Sequence, residues 1–437
     1  RGLVGSEMCI RDSTKAQEVI DYLYALPHLH PKNNLSFIKR LLLELGNPQD
    51  LVKTIHITGT NGKGSTSYYL SNLLKKAGQK TGLFVSPYVY EFNERIQLNN
   101  QNISDQDLVK TANIVQGTYE KLQQQDSTFS LVTFEYEVAL AFVYFAQKKC
   151  DYAVIEVGIG GEHDKTNVIM PEVSVITTIG LDHEKIIGPT IQDIAREKSG
   201  IIKAKRPVVL GNVPEVVWPI LKSKAEEEHA IVYQLGRDFS VLLDNQIVYQ
   251  DHKRKLVFAL RPQVEAYDIA VACQAFFLLK LPLSNEEVET AINQTIIPGR
   301  YQILRENPLI ILDGAHNIQA MSNLLAVVHR MTQQKHGKLY ALVTMMKDKD
   351  LEQVFSLFDD KDEVLLTTLS YPRVAKKDDF PIDVQKRYNY EKDYRAAFTQ
   401  LRDHLGANDI LIVSGSFYLV SAILNWKGKR DARTRAR

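Results

Sequence analysis

Eight residues, Thr58-Gly59-Thr60-Asn61-Gly62-Lys63-Gly64-Ser65, stand between a β-branched apolar run and the start of an amphipathic pattern. A glycine-rich turn in that position aims backbone N–H groups and the positive end of a helix at an anion, and a lysine inside it supplies a point charge for the outer phosphates of a nucleotide. The spacing departs from the common phosphate loop. Counted back from Gly62-Lys63, the first glycine should stand at Ile57, and Gly64 separates the lysine from the Ser65 hydroxyl. The alternative is a glycine-rich turn that Ser65 caps; the flanking strand and helix favour nucleotide binding.

Other reactive side chains follow short apolar runs in the same way. Ser86-Pro87 comes just past one, Glu156 ends another ahead of Gly158-Ile159-Gly160-Gly161, and His183 closes Thr177-Thr178-Ile179-Gly180-Leu181-Asp182-His183. Side chains at the carboxyl ends of parallel strands point into the crevice where open α/β sheets bind ligands. Glu156 and His183 are compatible with one metal centre bridging nucleotide phosphates. Taken singly they read as a strand-end acid and a surface histidine. Lys198, by itself, is a charge at a helix end, favoured by the dipole. Further along, Asp313-Gly314-Ala315-His316-Asn317 and Ser414-Gly415-Ser416 each follow an apolar strand, and Arg300 sits in a Pro298-Gly299-Arg300 turn.

Elements that hold such loops alternate along the chain. Strands are expected at 54–58, 81–85, 152–157, 173–179 and 207–210, then at 309–312, 339–344, 363–368 and 409–413, with helical patterns between them. Leu70, Leu73, Leu74 and Ala77 share one face of the helix after the phosphate loop, and Gly78 stops it. The run Val138 to Ala146, apolar all round, reads as a buried helix. The fold class is α/β, a phosphate-loop parallel-sheet domain followed by a smaller Rossmann-like α/β domain.

With 437 residues two domains are expected. The boundary is placed at the Pro-Gly turn, giving residues 14–298 and 299–426, flanked by a leader, 1–13, that is disordered or not native and a basic tail, 427–437. Fifty-three basic against 52 acidic residues give a formal charge of +1. No global field therefore draws the chain to nucleic acid, and the tail has no aromatic platform for bases. Cys9, Cys150 and Cys273 are too scattered for a disulfide framework or a zinc site. No run approaches the roughly 20 apolar residues that span a bilayer. A cytoplasmic monomer without membrane or nucleic-acid partners is expected.

In this order the motifs resemble the folylpolyglutamate synthase and dihydrofolate synthase family, relatives of the Mur ligases of cell-wall synthesis. His56 to Ser65 is similar to the family's phosphate loop almost letter for letter. The likeness continues through Ser86-Pro87, Phe92 to Ile96, Phe134-Glu135, Glu156 to Asn167, Gly180 to His183, Glu197 to Lys203, Pro298 to Arg300, Asp313 to Asn317, Lys347 to Asp350 and Ser414 to Ser416. The resemblance implies an ATP-dependent ligase that phosphorylates the glutamate carboxylate of a reduced folate and joins it to L-glutamate. Two magnesium ions are implied. Ser86, Glu156 and His183 would hold metal, while a carbamylated Lys198 would support the second ion. ATP would lie on Gly59, Thr60, Asn61, Gly62, Lys63, Gly64 and Ser65, with Arg300, Asp313 and Asp268, the last being the nearest match to a family asparagine. Phe134, Glu135 and Asp164 would face the acceptor, and His316 and Ser414 the incoming glutamate.

Two departures bear on the acceptor. Tyr88 stands where the family has histidine, and Glu162-His163-Asp164-Lys165 replaces the commoner Arg-Leu-Asp-Ala. Dihydropteroate as a second acceptor stays open. A Mur-type ligase for a nucleotide-linked peptide would match Ser86-Pro87 and Asp313 to Asn317 less closely. A non-catalytic nucleotide-binding module would tolerate loss of Glu156, His183, Lys198 or Asp313, and all four are present.

Overall fold

The computed structural model describes residues 14–27, 34–347 and 349–435, so the expected leader lies outside the described residues. The chain forms two compact units, one of residues 1–259 with 265–295 and the other of 260–264 with 296–437.

Eleven strands among the described residues belong to the first unit: β1 Lys53–Thr58, β2 Thr81–Phe84, β3 Ile96–Leu98, β4 Gln101–Asn102, β5 Tyr152–Glu156, β6 Val173–Thr178, β7 Val208–Asn212, β8 Val232–Gln234, β9 Phe239–Leu243, β10 Ile247–Asp251 and β11 Lys255–Phe258. The first eight make one sheet in the order β4-β3-β2-β5-β1-β6-β7-β8. It is parallel from β2 to β8, and β3 and β4 add an antiparallel edge. Central β1, β5 and β6 are buried on both faces, which is why they read as near-continuous apolar runs. β1 lies between β5 and β6, so connections leave it in opposite directions and open a crevice at its carboxyl end.

Helices Ala16–Ala25, Ser36–Glu44, Asp105–Gln125 and Thr133–Gln147 contribute to one large core with Phe84, Ala153 and Ile155 of the sheet. The last of these helices is buried from Val138 to Phe145, as its apolar composition requires. Phe145 lies against Gly82 of β2 so closely that a Cβ there would stand 2.6 Å from the ring. A second core, containing Ile176, Ile194, Ile201, Leu210 and Leu221, joins β6 and β7 to helices Ile191–Ser199 and Trp218–Glu227. The antiparallel sheet β11-β10-β9 was not expected. Its strands are four or five residues long and half-buried, too short for alternation to stand out.

In the second unit the strands are β12 Gln302–Glu306, β13 Leu309–Leu312, β14 Leu339–Val343, β15 Glu363–Thr368, β16 Asn389–Asp393 and β17 Ile410–Ser414, in the order β12-β13-β17-β14-β15-β16. Only β12 runs antiparallel to its neighbour. The final helix spans Phe417–Arg435. The stretch expected as a basic tail is therefore helical from Lys427 through Arg435. Trp426 packs edge-on against Phe398 and the Lys427 ammonium lies 5.5 Å from the same ring, which anchors that turn.

Replacing Phe145 by alanine leaves a cavity in the largest core. The variant is expected to lose about 3–5 kcal/mol of stability, read from the urea unfolding transition.

Candidate active site

Four neighbouring strand ends build the first unit's site. The phosphate loop leaves β1 and enters the helix Lys63–Lys76, whose N-cap is Gly62 at φ 84°. β6 holds the loop through two threonines. Thr60 N donates to the Thr178 carbonyl at 3.0 Å, Asn61 N to Thr178 Oγ1 at 2.9 Å, and Thr177 Oγ1 to the Asn61 carbonyl at 2.5 Å. Thr60 Oγ1 exchanges bonds with Gly180 at 2.9 and 3.0 Å, and Thr58 Oγ1 reaches the Gly160 carbonyl. Lys63 Nζ donates to the Gly59 carbonyl at 2.9 Å, so its charge folds back over the loop.

Gly62 faces Asp268 of the helix Gln263–Leu278, and a Cβ at position 62 would meet Asp268 Oδ1 at 2.1 Å. Asp268 thus stands at the loop. Gly64 turns toward Glu156, where a Cβ would lie 3.6 Å from Oε1. Glu156 is 3% exposed and accepts from the Ser86 backbone N–H at 2.8 Å, which joins the end of β5 to the turn after β2.

His183 lies beyond β6 with a left-handed backbone, φ 53°, its Nε2 3.6 Å from Asp182. It shares with Ser86 a cavity of about 670 Å³ whose wall also includes Arg95, Phe134, Glu137, His163 and Asp164. A hydroxyl, a buried carboxylate and an imidazole form a hard oxygen and nitrogen donor set that suits magnesium or manganese. Ser86 and Glu156 are already adjacent, and the shared cavity makes His183 the third candidate.

Lys198 is 3% exposed. Burial pushes its pKa down to about 7, and the positive charge of Lys63 pushes the same way against Asp182, Glu197 and Asp164. An amine near neutrality is nucleophilic at physiological pH. Asp164 is buried and its carboxyl is raised by that burial, although Oδ2 accepts from Ile159 N at 2.9 Å and Oδ1 from Thr166 N and its hydroxyl. Glu135 is fully buried, accepts from Val132 N at 3.1 Å and pairs with Lys165 at 3.3 Å. Its carboxylate closes the start of helix Thr133–Gln147 and is not on the cavity wall.

The second unit repeats the strand-end device. Asp313, just past β13, accepts from Tyr301 N at 2.8 Å and Ala315 N at 2.7 Å; burial raises its carboxyl while Arg300 opposes the shift. The Arg300 guanidinium lies 4.7 Å from the Phe417 ring centre. Ser414, at the end of neighbouring β17, donates to the Ala315 carbonyl at 3.3 Å, and His316 Nδ1 lies 2.7 Å from the Gly314 carbonyl. Arg300, Asp313, His316 and Ser414 therefore share two adjacent strand ends.

Sequence reasoning did not single out Thr177 and Thr178 as holders of the loop, nor Glu137, while Arg95, His163 and Glu197 entered only within matched or departing stretches and without a role. His163 Nδ1 lies 2.8 Å from Glu197 Oε2, and Arg95 Nη1 3.3 Å from Glu137 Oε2. A usable signal existed for Glu137, which follows Phe134 by one helical turn and so shares its face.

A phosphate-cradling sheet unit joined to a second α/β unit with its own strand-end acid defines an ATP-using ligase of the Mur class. The family model for the Mur ligase middle domain matches residues 57–275, and that for the Mur ligase glutamate ligase domain matches 299–417. Folylpolyglutamate synthase of Lacticaseibacillus casei is 32% identical over 430 residues, covering 93% of this chain and 97% of that protein. Dihydrofolate synthase/folylpolyglutamate synthase of Bacillus subtilis is 29% identical, with 94% and 98% covered. The structure of apo L. casei FPGS aligns with a TM-score of 0.83 at 30% identity over 94% of this chain and 98% of that one. E. coli FolC in complex with DHPP and ADP aligns at 0.82 and 26%, with 96% and 99% covered. The chain belongs to the folylpolyglutamate synthase and dihydrofolate synthase family.

Thr177→Val removes a hydroxyl that holds the loop and puts a larger methyl beside it. It is expected to cost about 1–2 kcal/mol in the unfolding transition and to weaken nucleotide binding measured by calorimetry.

Proposed function

We propose that this chain is a magnesium-dependent, ATP-consuming ligase of folate and one-carbon metabolism that adds L-glutamate to the glutamate carboxylate of a reduced folate. The observation that carries the reading is the convergence of strand ends β2, β5, β1 and β6, which brings the phosphate loop, Ser86 and Glu156 together beside the 670 Å³ cavity. A carboxylate is a poor acyl donor. One of its oxygens attacks the γ-phosphorus of ATP, the bond to the β-phosphate oxygen breaks, and an acyl phosphate and ADP form. The glutamate amine then attacks the acyl carbon, inorganic phosphate leaves, and the nitrogen gives up its proton.

Backbone N–H groups at the helix start, Gly62 to Ser65, and the Lys63 ammonium hold the phosphates and offset the charge that spreads over the transferred oxygens, while Gly59, Thr60 and Asn61 shape the turn beneath them. Asp268 stands at the nucleotide side of the loop, and in the second unit Arg300 and Asp313 serve ATP. Ser86, Glu156 and His183 would hold magnesium, which supplies charge neutralisation and in-line orientation when bound. Lys198, as a carbamate, would provide an anion where the bare amine offers none. Phe134 and Asp164 line the acceptor cavity, Glu135 shapes the helix behind it, and His316 and Ser414 serve the incoming glutamate. The chain works as a monomer in this reading, on small molecules alone. Among the described residues, no helix is long and apolar enough to cross a membrane.

Phosphate release from ATP by the purified chain with magnesium should require a reduced folate and L-glutamate together. Release independent of both would overturn the proposal, and a parallel assay with dihydropteroate reports whether that acceptor is also used. Lys63→Ala should lower turnover at least about 100-fold, since the charge it supplies grows in importance in the transition state.

Lys198 gives a pH test with a defined sign. Its pKa is depressed to about 7, so the neutral amine that reacts with carbon dioxide increases as pH rises through that value. With labelled bicarbonate, a carbamate carbon resonance should grow between about pH 6 and 8 and be absent in Lys198→Arg.

A further inference from the structure

One imidazole on the wall of the first unit's cavity has no part in holding metal or nucleotide. His163 is half exposed there, and its Nδ1 lies 2.8 Å from Glu197 Oε2. Glu197 is itself held. Its Oε1 accepts from the backbone N–H of His163 at 2.9 Å and of Gly161 at 3.3 Å, and the Glu162 N–H donates to its carbonyl at 2.8 Å. The loop lies this close because Gly160 and Gly161 carry no side chain; a Cβ at position 160 would stand 2.7 Å from Glu197 Cγ. A carboxylate offers only acceptors, so the imidazole proton sits on Nδ1 and Nε2 keeps its lone pair. An imidazole whose tautomer and direction are set by a fixed carboxylate is the arrangement of a general base.

Glu162 brings a second carboxylate to the place, for one side-chain atom each of Glu162, His163 and Glu197 lie within 4.8 Å of one another. Two carboxylates thus stand ready to pair with the positive charge that appears when Nε2 takes a proton. The cations on the same wall are spent elsewhere, Arg95 on Glu137 and Lys165 on Glu135. Other wall groups do not compete for the task. Asp164 accepts from Ile159 N and Thr166 N, and His183 is taken by magnesium in the ligase reading.

The reaction has a proton to place. Glutamate arrives at neutral pH with its amine as an ammonium, which has no lone pair for the acyl carbon. We infer that His163 is a further catalytic residue, whose Nε2 takes a proton from the ammonium of the incoming glutamate, with Glu197 as its positioning residue. The freed nitrogen bonds to the acyl carbon, and the bond from that carbon to the phosphate oxygen breaks with its electron pair on the phosphate. The nitrogen's second proton leaves on the phosphate, and the imidazolium returns the first to water. The inference rests on the folate-ligase reading and adds a residue to it. Position 163 belongs to the stretch where the commoner family sequence has leucine, which takes no proton. The base is therefore an addition of this chain that extends amide formation toward neutral pH.

The test gives the full chain ATP, magnesium and a reduced folate, with either L-glutamate or hydroxylamine as the nucleophile. Hydroxylamine is already largely unprotonated at neutral pH, so it takes the acyl group as a hydroxamate without a base. Dividing the glutamate rate by the hydroxylamine rate at each pH cancels whatever pH does to acyl phosphate formation. In the native chain that ratio should stay level between about pH 7 and 9; in His163→Gln it should lie about 10- to 100-fold lower at pH 7 and climb with pH, following the free amine. The loss should fall on kcat, with KM for glutamate within about threefold of native. A structural role, or one in acyl phosphate formation, would lower both rates together and leave the ratio unaltered, which overturns the inference. A raised KM at constant kcat overturns it too, since His163 would then only bind glutamate. A native ratio that climbs about tenfold per pH unit through that range overturns it with no variant needed, and the ligase reading stands. No turnover of the native chain with either nucleophile brings down the ligase reading and this inference with it.

Discussion

The N–H groups that a loop offers to an anion at its helix start cannot also hold that loop in place, and the first unit is organised around that constraint. The support comes from the strand beside it. Thr177 donates to the Asn61 carbonyl, Thr178 takes the amides of Thr60 and Asn61, and Gly160 and Gly180 take the hydroxyls of Thr58 and Thr60. Such a cradle needs β1 to be central and its neighbours to be parallel, so that their ends arrive at one level. The sheet order supplies both conditions. Helix Thr133–Gln147, buried along most of its length, packs Phe145 against Gly82 of β2 and presents Phe134 to the cavity.

Charge is managed by the same means in both units. Glu156 and Asp313 are buried acids just at or past strand ends, and each takes backbone N–H donors from an adjoining segment. Backbone amides orient an anion without adding mobile side chains, so a carboxylate can be buried and still hold its direction. Lys198 shows the opposite case. Its burial and the nearby Lys63 charge outweigh the acids around it and push its pKa down to about 7.

The parallel sheets were legible because strands buried on both faces leave apolar runs, and nine such runs correspond to observed strands within two residues at each end. The phosphate loop and the acids after β5 and β13 were legible for a related reason, since polar residues that interrupt such runs stand at strand ends. Short pairings were not. β3, β4 and the sheet β9 to β11 draw their stability from neighbours rather than from their own pattern. At the end of the chain the helical backbone through Arg435 was not legible from the run of charges, and Trp426 and Lys427 meet Phe398. Within the site, Thr177 and Thr178 read as strand residues, and the pairing of Arg95 with Glu137 depends on a β-edge and a buried helix meeting in space. Glu135 shows the limit of motif matching, for a matched residue proved to close a helix start.

The contact between Gly62 and Asp268 carries a consequence for how this sequence can change. A side chain at position 62 needs both a left-handed backbone and the volume that the Asp268 carboxylate fills. Divergence at the loop is therefore epistatic with a helix that follows it by most of the first unit. A larger residue at 62 becomes admissible only after position 268 has shrunk, and that first step removes the carboxylate packed against the loop. Either order passes through an impaired intermediate, so drift at these two positions is closed in both directions.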